Sequence, residues 1–148
     1  MANKFHQGKY TVKKPEKYAG NINEVYFRSS YELKTFLWLE ETSNILLWVS
    51  EETVIPYISP IDNKPHRYFV DLAVKYKQGD GSIKNALVEI KPASQTLEPK
   101  KPKRITKAYL TAVQTYMINE AKWKAARKWC EEKGWDFIIL TEKEIFGK

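Results

Sequence analysis

The chain has 148 residues with a formal net charge of +7, and 43% of its residues are hydrophobic. This length is sufficient for one domain with a proper core, and the hydrophobic content argues against a disordered chain. The single cysteine, Cys130, excludes an internal disulfide and a cysteine-based zinc site.

No apolar run in the sequence is long enough to span a bilayer, and the first residues contain no hydrophobic signal region. We therefore expect an intracellular protein that is neither secreted nor held in a membrane. The excess of positive charge is compatible with a polyanionic partner, although charge alone does not identify a nucleic acid.

Residues 1–24 are polar and basic and show little periodicity, which predicts an arm or an extended lead-in. Five lysines and two tyrosines share this segment: Lys4, Lys9, Lys13, Lys14 and Lys17, with Tyr10 and Tyr18. The arm has two interpretations. It either contacts DNA phosphates while its aromatic side chains stack on bases, or it is a solvated tail.

The first predicted helix covers residues 31–41, with Ser29 or Ser30 as its N-cap. Glu32 lies one turn before Phe36, on the flank of the apolar stripe of this helix, so its side chain is placed to point along the body of the protein. The simpler interpretation is that a negative charge in the first turn stabilises the helix dipole.

Two short apolar runs follow, over residues 45–49 and 53–57, and both predict strands. Pro56 places the second strand at an edge or near a strand end. After a turn-rich stretch, His66 and Arg67 lead into the next strand, where they could reach a phosphate group bound nearby.

Residues 67–76 and 82–91 predict the two strands of a β-hairpin, because both are rich in aromatic and β-branched residues and they flank Gly79 and Gly81. Side chains alternate between the two faces of a strand. One face of the hairpin is apolar and is expected to line one core: Tyr68, Val70, Leu72, Val74 and Tyr76, with Ala86, Val88 and Ile90.

Asp71, Glu89 and Lys91 lie on the opposite face of this hairpin. If the loop is centred on Asp80, Asp71 stands directly across from Glu89, with Cβ atoms about 5 Å apart. Two carboxylates at that distance repel each other, so we interpret them as oxygen ligands of a hard divalent cation. Lys91 points to the same face and could serve an anionic substrate.

A basic run follows the hairpin over residues 99–104, where prolines prevent a helix. A charge run is usually a solvated loop. Because this one comes directly after the proposed site, we favour a contact with the DNA backbone.

Two further helices are predicted over residues 105–117 and 120–133, with Asn119 as the N-cap of the second and Gly134 as its C-terminal cap. The second helix is expected to bury one face: Trp123, Ala126 and Cys130.

A strand over residues 135–140 and a short helix with capping-box spacing from Thr141 to Glu144 complete the chain. The order of the elements predicts an α/β or α+β fold in which helices cover a central sheet.

Together these residues resemble the PD-(D/E)xK nuclease superfamily, and within it the catalytic domain of TnsA-type endonucleases. The resemblance covers roughly residues 26–142. It is carried by six motifs: Phe27-Arg-Ser-Ser-Tyr-Glu32, Glu51-Glu-Thr-Val-Ile-Pro-Tyr57, His66-Arg-Tyr-Phe-Val-Asp71, Val88-Glu-Ile-Lys91, Asn119-Glu-Ala-Lys-Trp-Lys-Ala-Ala and Trp135-Asp-Phe-Ile-Ile-Leu-Thr-Glu142. The proline that precedes the first strand acid in the superfamily name is replaced here by Val70.

The resemblance implies a restriction-endonuclease-like core, with a central mixed sheet flanked by helices. This core would form a single nuclease-like domain over residues 25–148, preceded by the basic arm over residues 1–24. Within the superfamily, the chain looks like the head-completion nucleases of T-even-type tailed phages.

The resemblance also implies magnesium-dependent hydrolysis of DNA phosphodiester bonds. Asp71 and Glu89 would bind Mg²⁺, for which Mn²⁺ can substitute, and Lys91 would position or activate the attacking water. Glu32 would complete the metal shell, and the backbone carbonyl of Ile90 is a further candidate ligand. Basic side chains are the candidate DNA contacts: His66, Arg67, Lys100, Lys101, Lys103 and Arg104.

The implied role is to finish the phage head after DNA packaging. DNA would be a partner and the portal or head proteins would be further ones, in the host cytoplasm and in the virion head. Two alternatives stay open. One is a non-catalytic DNA-binding or portal-docking protein of the virion. The other is a TnsA-like transposase cleavage subunit, which we rank last because this chain lacks the additional C-terminal domain of those subunits.

Overall fold

The computed structural model describes residues 7–146 of the chain. Eight strands are formed: β1 (Gly8–Lys9), β2 (Tyr26–Phe27), β3 (Ile45–Ser50), β4 (Val54–Ile58), β5 (Pro65–Phe69), β6 (Leu72–Lys77), β7 (Ile83–Ile90) and β8 (Asp136–Leu140). Three α-helices accompany them: α1 (Ser30–Glu41), α2 (Lys107–Lys133) and α3 (Glu142–Ile145).

The centre of the molecule is a four-stranded mixed sheet in the order β3-β6-β7-β8. β6 is antiparallel to both β3 and β7, whereas β7 and β8 run parallel. Two smaller sheets pair β1 with β2 and β4 with β5. This architecture confirms the predicted α+β fold, a central mixed sheet flanked by helices that is consistent with a restriction-endonuclease-like core.

The two faces of the central sheet pack against different helices, because apolar side chains occur on both sides of β6 and β7. The α1-side core contains Phe36, Leu39, Trp48, Leu72, Val74, Val88 and Ile90. The α2-side core contains Tyr68, Val70, Leu87, Trp123, Ala126 and Cys130. Each large apolar side chain buried in this way stabilises the fold by about 1.5–3 kcal/mol.

The hairpin between β6 and β7 has the predicted register. Its pairs run from Leu72↔Val88 to Lys77↔Ile83, so they are centred on Asp80. Gly81 adopts the left-handed conformation that the turn requires, with φ of 89°.

The strand predicted over residues 67–76 is divided in two, and that part of the prediction is wrong. The chain bends after Phe69, so β5 leaves the central sheet and pairs with β4. Two backbone bonds stabilise the bend, from Val70 N–H to the Thr53 carbonyl at 3.0 Å and from Glu51 N–H to the Asp71 carbonyl at 3.1 Å.

This bend transfers Tyr68 and Val70 to the α2-side core, whereas Leu72 and Val74 belong to the α1-side core. The single apolar face predicted for these residues is therefore split between two cores. Side-chain alternation holds only within a continuous strand, and it restarts after the bend.

The two helices predicted on either side of Asn119 are one helix of 27 residues, so the predicted break is wrong. Neither proline nor glycine occurs within α2, and the side chain of Asn119 is buried beside the packed face. The N-cap is instead Thr106, whose side chain accepts a hydrogen bond from Tyr109 N–H. The predicted cap at Gly134 is confirmed by its left-handed φ of 71°.

The N-terminal segment lies against the domain within the described residues. Tyr10 and Tyr18 are buried and contact the Trp48 ring edge-on, with ring centroids 6.2 and 4.7 Å away. The interpretation that these two tyrosines stack on bases is therefore wrong. Lys4 and the rest of residues 1–6 lie outside the described part, as do residues 147–148 of the predicted domain, and the division at residue 24 stays a prediction.

Ser29 is confirmed as the N-cap of α1, and α3 begins with the predicted capping box at Thr141. In the part of the chain from residue 7 to residue 146, no helix combines the length and the apolar character needed to cross a membrane.

Candidate active site

Asp71, Glu89 and Lys91 meet where the bend before β6 and the end of β7 come together. The first turn of α1 is close enough for the charge of Glu32 to act on Asp71. Asp71 occupies the bend, one residue beyond the pair Leu72↔Val88, which places it opposite Glu89. Lys91 follows β7, and its backbone N–H donates to the Leu140 carbonyl at 2.9 Å, so the chain stays extended at this point.

Glu89 is buried, with only 5% of the residue exposed, and both of its carboxylate oxygens have partners. The Tyr68 hydroxyl donates a hydrogen bond to Oε1. Nζ of Lys91 lies 3.3 Å from Oε2. Because an unpaired buried carboxylate is costly, these two contacts make the position of Glu89 possible before any cation binds.

Asp71 is fixed by the neighbouring strand, since Ile90 N–H donates to its Oδ2 at 2.7 Å. Burial raises the pKa of Asp71 well above its usual value, and the charges of Glu89 and Glu32 raise it further. The Ile90 amide and Lys91 act in the opposite direction but are outweighed. The positive charge of Lys91 therefore does not compensate for burial and for the neighbouring acids, and ionisation of Asp71 is unfavourable.

Glu32 stands in the first turn of α1, where its own N–H donates to the Ser29 hydroxyl that caps the helix. Its Oε1 accepts from Arg28 N–H at 2.9 Å. Burial raises the pKa of Glu32, and the negative charges of Glu51 and Glu89 add to that effect. The α1 glutamate and the two strand acids thus influence one another electrostatically.

The donor set fits a hard divalent cation, because Glu89 is buried and both burial and the charge of Glu89 raise the pKa of Asp71, an unfavourable arrangement that a cation would relieve. Between residues 7 and 146, no three acidic, histidine or cysteine side chains are already grouped as a complete metal site. The arrangement therefore offers the carboxylates of Asp71 and Glu89 rather than a closed cage. Mg²⁺, which keeps several waters, is suited to such a site.

Three further residues contact the acids and were given no role by the sequence analysis. Tyr68 binds Glu89, and Arg28 binds both Glu32 and Glu51. Arg28 and Glu51 do occur in the quoted motifs. Arg28 directly follows β2, and Glu51 directly follows β3. Tyr68 was assigned to the apolar face, and only the bend brings its hydroxyl to Glu89.

His66 and Arg67 are exposed on β5 and have local contacts. Nε2 of His66 lies 2.9 Å from Asp62 Oδ2, and the Arg67 guanidinium lies over the Phe69 ring at 5.4 Å. At about 3.3 Å per strand residue, about 13–17 Å of chain, which includes the bend, separates them from Asp71.

The basic run is an exposed loop that precedes α2, as predicted: Lys100, Lys101, Lys103 and Arg104 are all exposed. A short 3-10 turn, Ala93–Thr96, joins this part of the chain to the residues that follow Lys91.

Comparison with known proteins gives two matches. Residues 42–142 match the family described as TnsA-like endonuclease N terminal, and this segment contains Asp71, Glu89 and Lys91 but not Glu32. The chain is also 37% identical, over 141 residues, to the head completion nuclease of Enterobacteria phage T4, and the alignment covers 93% of this chain and 91% of that protein.

Proposed function

The chain belongs to the TnsA-like endonuclease family, and on that premise we propose that it is a magnesium-dependent endonuclease that hydrolyses phosphodiester bonds in DNA. One observation carries the proposal. Asp71 lies next to the pair Leu72↔Val88, and its carboxylate accepts a hydrogen bond at 2.7 Å from Ile90 N–H, the residue after Glu89. The Lys91 ammonium lies 3.3 Å from the Glu89 carboxylate.

In the proposed reaction, Asp71, Glu89 and the Ile90 carbonyl would hold Mg²⁺, and Glu32 would complete the shell from α1. Bound Mg²⁺ lowers the pKa of water and acts as a Lewis acid towards the phosphate. Lys91 orients the attacking water or stabilises the negative charge that develops on the phosphate in the transition state. The Tyr68 hydroxyl holds Glu89 in one orientation, which is what a partner of a metal-binding carboxylate does in many sites.

The proposed substrate contacts outside the catalytic centre are electrostatic. Exposed basic side chains bind the phosphate backbone without reading its sequence. The candidates remain those of the sequence analysis: His66, Arg67, Lys100, Lys101, Lys103 and Arg104.

The proposed setting follows the relative named as a head completion nuclease. We assign to this chain a role in finishing a phage head after DNA packaging. Its partners would be DNA and the portal or head proteins, and it would act in the host cytoplasm or in the virion head.

The experiment is cleavage of supercoiled plasmid by the purified chain with Mg²⁺, with Mn²⁺ and with EDTA. We expect cutting with either metal and none with EDTA, and we expect Asp71→Ala, Glu89→Ala and Lys91→Ala to abolish it. Lys84→Ala serves as the control, because Lys84 lies at the other end of β7. Equal cutting by all three site variants would remove the assignment. Salt-sensitive DNA binding without cutting would instead identify a structural DNA-binding protein.

A further inference from the structure

Arg28 and Glu51 form an ion pair with two parallel contacts at the edge of the acid cluster. Nε of Arg28 donates to Glu51 Oε2 at 2.9 Å, and Nη2 donates to Oε1 at 2.6 Å. The Arg28 side chain is 63% exposed and the Glu51 side chain 27%. An ion pair this exposed contributes little to stability, so folding alone gives no strong reason for it.

The pair is attached directly to the proposed metal ligands. The backbone N–H of Arg28 donates to Glu32 Oε1 at 2.9 Å, and the backbone N–H of Glu51 donates to the Asp71 carbonyl at 3.1 Å. Glu51 raises the pKa of Arg28 above its usual value, and Glu32 and Asp71 raise it further. The guanidinium is therefore carried beside the acids without forming an ion pair with either of them in the described structure.

Glu51 holds this position in a conformation that is unusual for a residue with a side chain. Its φ is 56°, in the left-handed region that glycine and asparagine normally occupy. Such backbone strain persists where surrounding contacts impose it, and it is concentrated at functional sites. Here the contacts that impose the conformation of Glu51 are its backbone hydrogen bond to the Asp71 carbonyl and its two side-chain bonds to Arg28.

Resting on the proposed nuclease function, we propose that Arg28 binds a DNA backbone phosphate beside the bond that is cut. Glu51 occupies the guanidinium until that phosphate replaces it. A guanidinium fork that matches a carboxylate also matches two phosphate oxygens, so the phosphate replaces one anionic partner with another.

The test measures DNA binding without cleavage, in EDTA, by the fluorescence anisotropy of a short labelled duplex over a range of salt concentrations. Arg28→Gln should weaken binding about tenfold and reduce the slope of log K against log salt by about one. The control is Lys84→Gln, which also breaks an exposed ion pair, at 3.8 Å to Asp136. It should leave the slope unchanged.

The role of Glu51 is tested by Glu51→Gln, with Glu52→Gln as the control that removes the same charge one residue away. Glu51→Gln should tighten DNA binding more than Glu52→Gln does, because it frees the guanidinium. In the Arg28→Gln background the two substitutions should have the same effect.

Two results would overturn the inference. One is an unchanged affinity and salt slope for Arg28→Gln. The other is a loss of binding of equal size in Arg28→Gln and Glu51→Gln, as expected of a purely structural pair. Failure of the nuclease proposal is distinguishable, since it shows as a wild-type chain that does not cut plasmid with Mg²⁺. The binding experiment contains no metal and no cleavage step.

Discussion

Lys91 and Glu89 form an ion pair at the end of the central sheet, with 3.3 Å between Nζ and Oε2. Two positions apart on an extended chain, they project from the same face. The Lys91 side chain is 22% exposed and that of Glu89 is 7% exposed, so the ammonium reaches from the solvent side towards a buried carboxylate. In the proposed function, a phosphate that approaches the acids would meet this positive charge.

Replacing Lys91 with methionine should remove that charge while keeping much of the side-chain volume. We expect the single-turnover rate of DNA cleavage with Mg²⁺ to fall about 10²–10³-fold, because a preorganised donor to the transition state is lost. Far-UV circular dichroism should be unchanged. Lys84→Met is the matched control and should cut at the wild-type rate, and a similar rate for Lys91→Met would contradict the role of Lys91.

Asp71→Asn tests whether repulsion among the acids destabilises the folded chain when no cation is bound. Burial and the charge of Glu89 raise the pKa of Asp71, so its ionised form destabilises the folded chain at every pH above the unfolded value of about 3.9. The destabilisation is full above the raised folded pKa, declines as the pH falls below it, and is gone near the unfolded value. At pH 8 without metal, the variant should therefore be more stable than wild type by about 1 kcal/mol, or about 3 °C in Tm.

The same comparison by differential scanning fluorimetry includes Mg²⁺ and a series of pH values. Mg²⁺ should raise the Tm of the wild type, because at 100 times its Kd it stabilises the fold by about 2.7 kcal/mol. The Tm of Asp71→Asn should not change with Mg²⁺. The advantage of the variant should shrink towards acidic pH. A variant that is less stable than wild type at pH 8, or that responds equally to Mg²⁺, would argue against a metal site at Asp71.

The hairpin register that brings Asp71 close to Glu89 could be predicted from the sequence because it depends on a local feature. One short turn sets the register of a hairpin, and a loop centred on Asp80 fixes every pair along both strands. The bend after Phe69 could not be predicted in this way. Alternation of polar and apolar residues is the same whichever sheet a strand joins. No local sequence signal identifies β4 as the partner of β5.

Asn119 and the N-terminal tyrosines show the same limit. Asparagine is a good N-cap, and only the packing of α2 against the sheet determines that the helix continues through it. Tyr10 lies in a polar, basic stretch, yet it binds Glu40 on α1, thirty positions along the chain. A contact between residues so far apart in the chain produces no periodic pattern of polar and apolar residues from which it could be predicted.

Tyr68→Phe should weaken metal binding rather than the chemical step. The hydroxyl of Tyr68 is a hydrogen-bond partner of Glu89, and loss of such a partner typically reduces metal affinity about 10–100-fold. We expect a higher Mg²⁺ concentration for half-maximal cleavage, with a near-normal rate at saturating Mg²⁺. The measurement is cleavage rate against Mg²⁺ concentration.

Tyr76→Phe is the control for this substitution, because its hydroxyl donates to Asp136 at 3.1 Å, away from the acids. It should leave the Mg²⁺ dependence unchanged. If Tyr68→Phe lowers the maximal rate and keeps the wild-type Mg²⁺ dependence, Tyr68 does not act through Glu89.

Glu40 joins the N-terminal segment to α1. It is 1% exposed and accepts hydrogen bonds from the Tyr10 hydroxyl at 2.5 Å, from Lys13 N–H at 2.9 Å and from Lys14 N–H at 2.7 Å. Burial acts to raise the pKa of Glu40, but these bonds outweigh it and hold the pKa below its usual value. The ionised carboxylate therefore stabilises the fold at neutral pH, and this contribution is lost as the pH falls below about 4.3 towards the folded value.

Glu40→Gln should destabilise the chain at pH 7 by about 2 kcal/mol, or about 6 °C in Tm, because charge-assisted bonds are replaced by weaker ones and one amide hydrogen lacks a suitable acceptor. The Tm difference from wild type should narrow below about pH 4, where Glu40 itself becomes protonated. Glu41→Gln, at the exposed neighbouring position, is the control and should change Tm little at any pH. Thermal melts from pH 3 to 8 decide the matter: a Tm difference that is the same at every pH would show that the charge of Glu40 does not hold the N-terminal segment in place.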